Sequence, residues 1–194
     1  MTGAVPGPDG LLRCTWGAGS SADYTTYHDE EWGRPVRGDT ALFERISLEA
    51  FQSGLSWLTI LRKRKAFRAA FAGFDPAVVA TFDVDDETRL LADAGIVRNR
   101  AKVAATIANA RAVIALGEPL TDLLWSFAPV TDRPAPVTDA DVPAVTPEST
   151  AMAKALKRKG FRFVGPTTAY ALMQATGMVN DHLAACAFRD VRGP

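Results

Sequence analysis

Two cysteines, Cys14 and Cys186, and two histidines, His28 and His182, are the only residues of their types in the chain. They fall as Cys-x13-His near the start and His-x3-Cys near the end. Two thiolates and two imidazoles make a complete ligand set for one tetrahedral zinc. On a helix, His182 and Cys186 would stand at i and i+4 on one face, as two ligands of one metal should. Four protein ligands leave no position for water, so such a zinc holds structure and does no chemistry, and a zinc hydrolase is disfavoured. The same four residues also fit a Cys14–Cys186 disulfide, or unrelated buried thiols with ordinary core or surface histidines.

A second group with chemical potential lies between Tyr24 and Trp57. At 100° per residue, Leu42, Phe43, Ile46 and Ala50 form one apolar stripe, and Glu49 sits at its edge, about 20° from Leu42. A carboxylate so placed is either satisfied by a buried cation or free to meet a ligand. Trp16, Tyr24, Tyr27 and Trp57 are close to it in sequence or tied to it through the metal ligands. Most aromatics are core, but with Glu49 these four would stack on and hydrogen-bond to a flat, positively charged ring.

The elements that must position these groups read as helices. Asp39 can cap a helix to about Ser53, and Ser56 one reaching about Ala72 before Gly73. Asp75-Pro76 opens a short helix, Asp85 to Ala94 gives another, and Asn99 can cap a long one to Leu116. Thr121 to Phe127 adds a turn or two. Five prolines from Pro129 to Pro147 then mark a long surface connection. Helix returns from Ser149 to Lys159 and from Pro166 to about Ala175. No run of alternating strand pattern appears, and the expected fold is all-α.

The last two helices imply a hairpin. Gly160 can take the left-handed conformation that ends the first, and Gly165-Pro166 starts the second with proline at its first position. Free amides at Gly165, Thr167 and Thr168 would then face a phosphate at a helix N-terminus. This is a helix-hairpin-helix, which grips a nucleic-acid backbone without reading sequence; a plain antiparallel helix pair fits the same pattern. The pair around Gly95 is a weaker second candidate.

At 194 residues, 47% apolar and 23% charged with zero net charge, the chain fits one soluble domain. The neutral balance argues against nonspecific polyanion binding but leaves two basic faces, Arg62 to Lys65 and Lys154 to Arg162, as DNA contacts or as solvated helix surface. No apolar run approaches the roughly 20 residues that span a bilayer, and no secretory leader is evident. The expectation is a cytoplasmic monomer with a flexible Gly/Pro-rich tail at 1–11 and a single domain at 12–190.

The chain resembles the DNA-3-methyladenine glycosylases of type I, within the helix-hairpin-helix DNA glycosylase superfamily. The resemblance rests on Arg13-Cys14-x-Trp16, Tyr27-His28-Asp29-x-Glu31-Trp32-Gly33, Leu48-Glu49, Gly54-Leu55-Ser56-Trp57, Asp93-Ala94-Gly95-Ile96 and Trp125-Ser126-Phe127. It continues through Lys157-Arg158-Lys159-Gly160-Phe161-x-Phe163-Val164-Gly165 and Val179-Asn180-Asp181-His182. It implies a structural zinc at Cys14, His28, His182 and Cys186 that joins the N- and C-terminal segments. It implies that Glu49 recognises the base, that Tyr27 supplies a pocket hydroxyl and Trp57 a stacking ring, with Tyr24 and Trp16 as further walls. Leu55 is the expected wedge into the duplex, and the hairpin at Gly165 the expected backbone grip.

The implied reaction is base excision repair of alkylated double-stranded DNA: flipping out 3-methyladenine and hydrolysing its N-glycosidic bond, monofunctionally, to leave an abasic site. Two rival readings are a zinc-stabilised helix-hairpin-helix DNA-binding protein without activity and a glycosylase for another N-alkylated purine. One departure concerns the wider superfamily, where many members carry an aspartate at the place held here by Asn180. Asp181 is displaced by one residue, with an expected role in orienting His182 or the hairpin.

Overall fold

A computed structural model describes residues 3–19, 21–131 and 133–191. Among them, nine α-helices carry the architecture: α1 (Ala22–Glu30), α2 (Asp39–Gln52), α3 (Trp57–Ala70), α4 (Pro76–Val79), α5 (Val84–Ala92), α6 (Arg100–Ile114), α7 (Leu120–Trp125), α8 (Pro147–Arg158) and α9 (Pro166–Ala175). The expected helical class holds, and the helix limits agree within a few residues with the apolar spacing and caps. None of these helices is long and apolar enough to cross a membrane.

The middle of the molecule is α2. Leu42, Phe43, Ile46, Leu48 and Phe51 on it are wholly buried, and it packs against α3, α6, α7 and α9. Burial on nearly every side is why the carboxylate of Glu49, on the same helix, is enclosed as well. Phe67, Phe71 and Phe74 stack in succession beside Phe51, closing the core between α2, α3 and the turn that follows.

Caps explain most helix starts. Ser56 Oγ accepts from Thr59 N at 3.2 Å, Asp75 Oδ1 from Ala77 N at 2.9 Å and Asn99 Oδ1 from Lys102 N at 3.1 Å, as the side-chain chemistry dictates. Asp39 behaves differently from expectation. It is the first residue of α2, and its carboxylate accepts from Leu120 N, Thr121 N and Thr121 Oγ1 at 2.9–3.1 Å, capping α7 from a neighbouring helix.

The N-terminal stretch expected to be a free tail is arranged at the residues described. β1 (Val5–Pro6) pairs antiparallel with β2 (Leu12–Arg13), Ala4 is buried, and Gly3 N donates to Val137 O at 2.9 Å. Residues 1 and 2 of that expected tail lie outside the described residues. The proline-rich connection from 129 to 147 is irregular apart from one 3-10 turn at Asp139–Asp141, and it runs back over this hairpin.

α8 and α9 form the most extensive helix pair. Gly160 has φ +92° and ends the first helix as expected. Pro166 is the first residue of α9 and Gly165 its cap, exposed with open space around it. The connection is held from outside: Asn109, buried on α6, accepts from Arg162 N at 2.7 Å and donates to Arg162 O at 3.1 Å.

Candidate active site and metal cluster

α1 turns one face toward α2 and α3, placing Tyr24 and Tyr27 at a cavity and His28 behind it. Ser21 starts this helix by accepting from Tyr24 N at 3.3 Å. The cavity, about 510 Å³, is lined by Trp16, Tyr24, Tyr27, Glu49 and Trp57, so all five sequence-expected pocket residues meet at one place. Trp57, the first residue of α3, tilts on Tyr27 with ring centroids 5.3 Å apart. Trp16 meets Tyr24 edge-on at 5.5 Å and Tyr27 at 6.3 Å. These rings form the aromatic walls of the cavity.

Glu49 is the charge in that cavity. It is 6% exposed, and among the described residues no hydrogen bond or ion pair holds its carboxylate. Burial pushes the carboxyl up to about 8, opposed by the positive charge of Arg45 one turn earlier. Burial likewise raises the Tyr27 phenol, keeping its proton in place. Trp57 Nε1 is also buried without a partner. A desolvated carboxyl, a neutral phenol and an unpaired indole N–H are a set of hydrogen-bonding groups awaiting a complement.

Sequence reasoning missed part of the wall. Gln52, Asp139, Gln174 and Asp181 also line the cavity. Gln52 was within reach, one turn beyond Glu49 on the same helix; Asp139 and Gln174 arrive from segments whose packing no local pattern encodes. Thr15 Oγ1 donates to Asp139 at 2.5 Å, tying the proline-rich connection to the segment after β2. Asp181 accepts from Tyr170 Oη, from Gln174 Nε2 at 2.9 Å and from Arg133 Nη2 at 2.7 Å. It therefore braces α9, and among the described residues it makes no hydrogen bond to the His182 ring, which rests on Asn180 instead.

Three of the four cysteine and histidine residues cluster behind Trp16, with His182 alongside. Ligand atoms of Cys14, His28 and Cys186 lie within 4.8 Å of one another, with Cys186 Sγ 3.6 Å from His28 Nε2. Both thiols are free and buried, so no disulfide joins the ends. His182 packs edge-on against His28 at 5.0 Å, and its Nε2 is buried without a hydrogen-bond partner. Each ring is oriented through its other nitrogen, His28 Nδ1 on Asp29 Oδ1 at 2.7 Å and His182 Nδ1 on Asn180 Oδ1 at 3.1 Å. Cys14, His28 and Cys186 form a cluster that could hold a metal ion, and the anchored His182 ring with its orphaned nitrogen lies next to His28, outside that three-residue group.

One expectation is corrected here: residues 180–189 are turns, not a helix, so His182 and Cys186 meet by chain reversal and not by helical spacing. The room for this turn comes from Gly33, at φ +74°, where a Cβ would stand 2.8 Å from His182 Cε1.

The expected DNA contacts lie on the surface. Leu55 is 42% exposed in the turn beside the cavity, after Gly54 at φ +80°. Gly165 and Thr167 are exposed and Thr168 is half-buried. Of the two basic faces, the first is largely consumed within the fold. Arg62 pairs with Asp23, Lys63 donates to Ala94 O and Gly95 O, and Arg64 forks onto Glu31. Lys154, Lys157, Arg158 and Arg162 stay exposed around the α8–α9 connection.

The molecule is mostly helical, with an aromatic-lined cavity around one buried carboxyl that no hydrogen bond or ion pair holds among the described residues. The methyladenine glycosylase family pattern matches residues 16–190. DNA-3-methyladenine glycosylase 1 of Escherichia coli K12 is 47% identical over 183 residues, covering 91% of this chain and 96% of that protein. A crystal structure of 3-methyladenine DNA glycosylase I is 45% identical with TM-score 0.86, over 90% of this chain and 98% of that one. A variant of 3-methyladenine DNA glycosylase I in complex with 3-methyladenine is 31% identical with TM-score 0.84, over 90% and 96%. The chain belongs to the methyladenine glycosylase family.

Proposed function

We infer that this protein excises 3-methyladenine from alkylated DNA as a monofunctional DNA-3-methyladenine glycosylase, the first step of base excision repair. The observation that carries the reading is Glu49, buried and unpaired in a slot walled by Tyr27 and Trp57. Methylation at N3 makes the purine cationic, so its N-glycosidic bond is weak and its departure needs no protonation. The bond from C1′ to the base breaks with its electron pair going to the ring, and water adds to C1′. The products are neutral 3-methyladenine, an abasic site and one proton.

The flipped base enters the slot between Trp57 and Tyr27, where stacking and cation-π attraction favour the charged ring. Glu49 accepts hydrogen bonds from the amine edge of the base and places negative charge beside it. Leu55 fills the gap left in the duplex. The amides at Gly165, Thr167 and Thr168 hold a phosphate through a helix-hairpin-helix, and Lys157, Arg158 and Arg162 add sequence-independent attraction. Cys14, His28, His182 and Cys186 hold one structural zinc that joins the chain ends; the zinc supplies no chemistry to the reaction. The enzyme acts on double-stranded DNA as a cytoplasmic monomer.

The test is release of free base from methylated duplex DNA, with chromatography separating 3-methyladenine from 7-methylguanine. Wild-type protein releases 3-methyladenine, and Glu49→Gln loses most of that release while keeping its fold and metal. Release of 7-methylguanine alone would move the assignment to another lesion. No release by folded wild-type protein would make it a DNA-binding relative.

A further inference from the structure

Directly behind the slot lies a group of charges that the reaction as described does not use. Arg45 stands on α2 one turn before Glu49 and is 9% exposed. Its Nη2 donates to Glu31 Oε2 at 2.9 Å. Glu31 is already taken by Arg64, whose two terminal nitrogens reach its two oxygens at 2.6 and 2.7 Å. One carboxylate thus serves two guanidiniums, leaving this cluster with one excess positive charge. Arg45 Nη1 is buried without any hydrogen-bond partner. The guanidinium carbon lies 5.8 Å from the centre of the Tyr27 ring, on the wall that Trp57 also packs against.

An unpaired arginine nitrogen in a protein interior costs stability. A cation beneath a pocket for a cationic base would also weaken binding if it acted on the base alone. Both costs are offset if the charge acts on Glu49. We propose that Arg45 is a positioning residue for Glu49, its partly unpaired guanidinium lowering the cost of ionising that buried carboxyl when the cationic purine enters. This rests on Glu49 being the group that receives the base.

The surroundings support the assignment. Arg45 stands one turn before Glu49 on the same helix and its charge acts on that carboxyl; Tyr27 from α1 and Trp57 from α3 line the cavity with Glu49, Glu31 and Arg64 stand behind Arg45, and Tyr24, Asp139 and Asp181 border the same cavity. Among the described residues Arg45 is the one cation acting appreciably on the carboxyl, opposing the burial that pushes it up to about 8. Without Arg45 the carboxyl stays protonated further into the alkaline range, and a protonated acid presents a donor where the amine edge of the base requires an acceptor. The expected signature is therefore a displaced pH profile, not a uniform loss.

Single-turnover excision of 3-methyladenine from duplex DNA, measured against pH for wild type, Arg45→Met and Arg45→Lys, reads this directly. Excision by wild type rises with pH as Glu49 ionises. In Arg45→Met the midpoint moves up by roughly one pH unit, giving roughly tenfold slower excision at pH 7 and recovery on the alkaline plateau. Arg45→Lys, which keeps the charge, stays near wild type. A carbon-13 titration of labelled glutamate carboxyls, with Glu49→Gln assigning the signal, gives the same displacement without any DNA. Should Arg45→Met fail to fold, Glu31→Gln removes the negative charge behind Arg45 and must move the midpoint down. A rate reduced by one factor at every pH, or a Glu49 carboxyl that titrates unchanged in Arg45→Met, overturns the proposal. Full excision by Glu49→Gln would sink the reading of Glu49 instead, leaving the carbon-13 result to judge the Arg45–Glu49 pair alone.

Discussion

At the scale of single residues, Glu49 concentrates the opposing demands of stability and recognition. Two buried or half-buried carboxylates show the contrast: Glu31 is held at about 2 by Arg64 and Arg45 despite its burial, and Glu49 is held high by burial, at about 8. The linkage signs differ accordingly. Between the usual carboxylate range and pH 8 the folded chain keeps a proton on Glu49 that the unfolded chain has lost, so stability falls as pH rises through that window. The contribution is fully present below about 4.5, the unperturbed value. Melting of the DNA-free protein between pH 6.5 and 8 should show a falling midpoint, with Glu49→Gln flatter over the same interval. The difference amounts to a few kcal/mol at most, on the order set by such shifts. Parallel curves would mean that Glu49 is solvated in solution. The enclosure of Glu49 was legible from its place at the edge of the apolar stripe of α2; that of Arg45 was not, because the sequence offers many arginines and only packing shows which one is buried.

At the scale of elements, legibility followed the strength of local chemistry. Helices α3, α4 and α6 were set by Ser56, Asp75 and Asn99, whose caps act within three residues. The α1 helix escaped notice, since Thr25, Thr26 and two tyrosines lower its intrinsic propensity and its face is only weakly amphipathic. It exists because Tyr27 and His28 are buried from outside. Asp39 shows the same limit in another form, reading as a cap for its own helix while capping α7 across space. The α8–α9 hairpin was legible at Gly160 and Pro166, but its clamp was not: Asn109 sits on α6, 53 residues from Arg162. Replacing Asn109 with Leu leaves both backbone groups of Arg162 unpaired at the hairpin. That substitution should cost about 1–3 kcal/mol in urea unfolding and weaken binding to undamaged duplex in fluorescence anisotropy. Affinity for free 3-methyladenine should be kept, because the clamp is remote from the slot. A loss of base affinity equal to the loss of DNA affinity would show that the hairpin and slot are not separable.

At the scale of the whole molecule, the described segments near the two ends, around residues 12–14 and 183–187, are built into one corner that also supports the slot. Ala187 N donates to Leu12 O at 2.9 Å and Leu183 N to Cys14 Sγ at 3.3 Å. Arg13 binds both Asp9 and Asp29, and Asp29 in turn holds the His28 ring. Trp16 and Trp32 connect this corner to the cavity: both line it, Trp16 lies 5.0 Å from His28 and Trp32 4.7 Å from His182. A zinc at Cys14, His28, His182 and Cys186 would therefore fix the far wall of the slot as well as the termini. Elemental analysis should give one zinc per chain, and Cys186→Ser or prolonged chelation should remove it. Because hydrogen bonds also bridge the ends, the metal-free protein should stay helical and melt earlier. Amide exchange should rise first at residues 3–19 and 180–191, while α2 and α6 remain protected. Excision should fall with the metal and return when zinc is restored, since the aromatic wall moves with its ligands. Metal-free protein with unchanged melting and unchanged exchange at both ends would show that the four ligands cohere without an ion, and that the clasp is made by the buried hydrogen bonds alone.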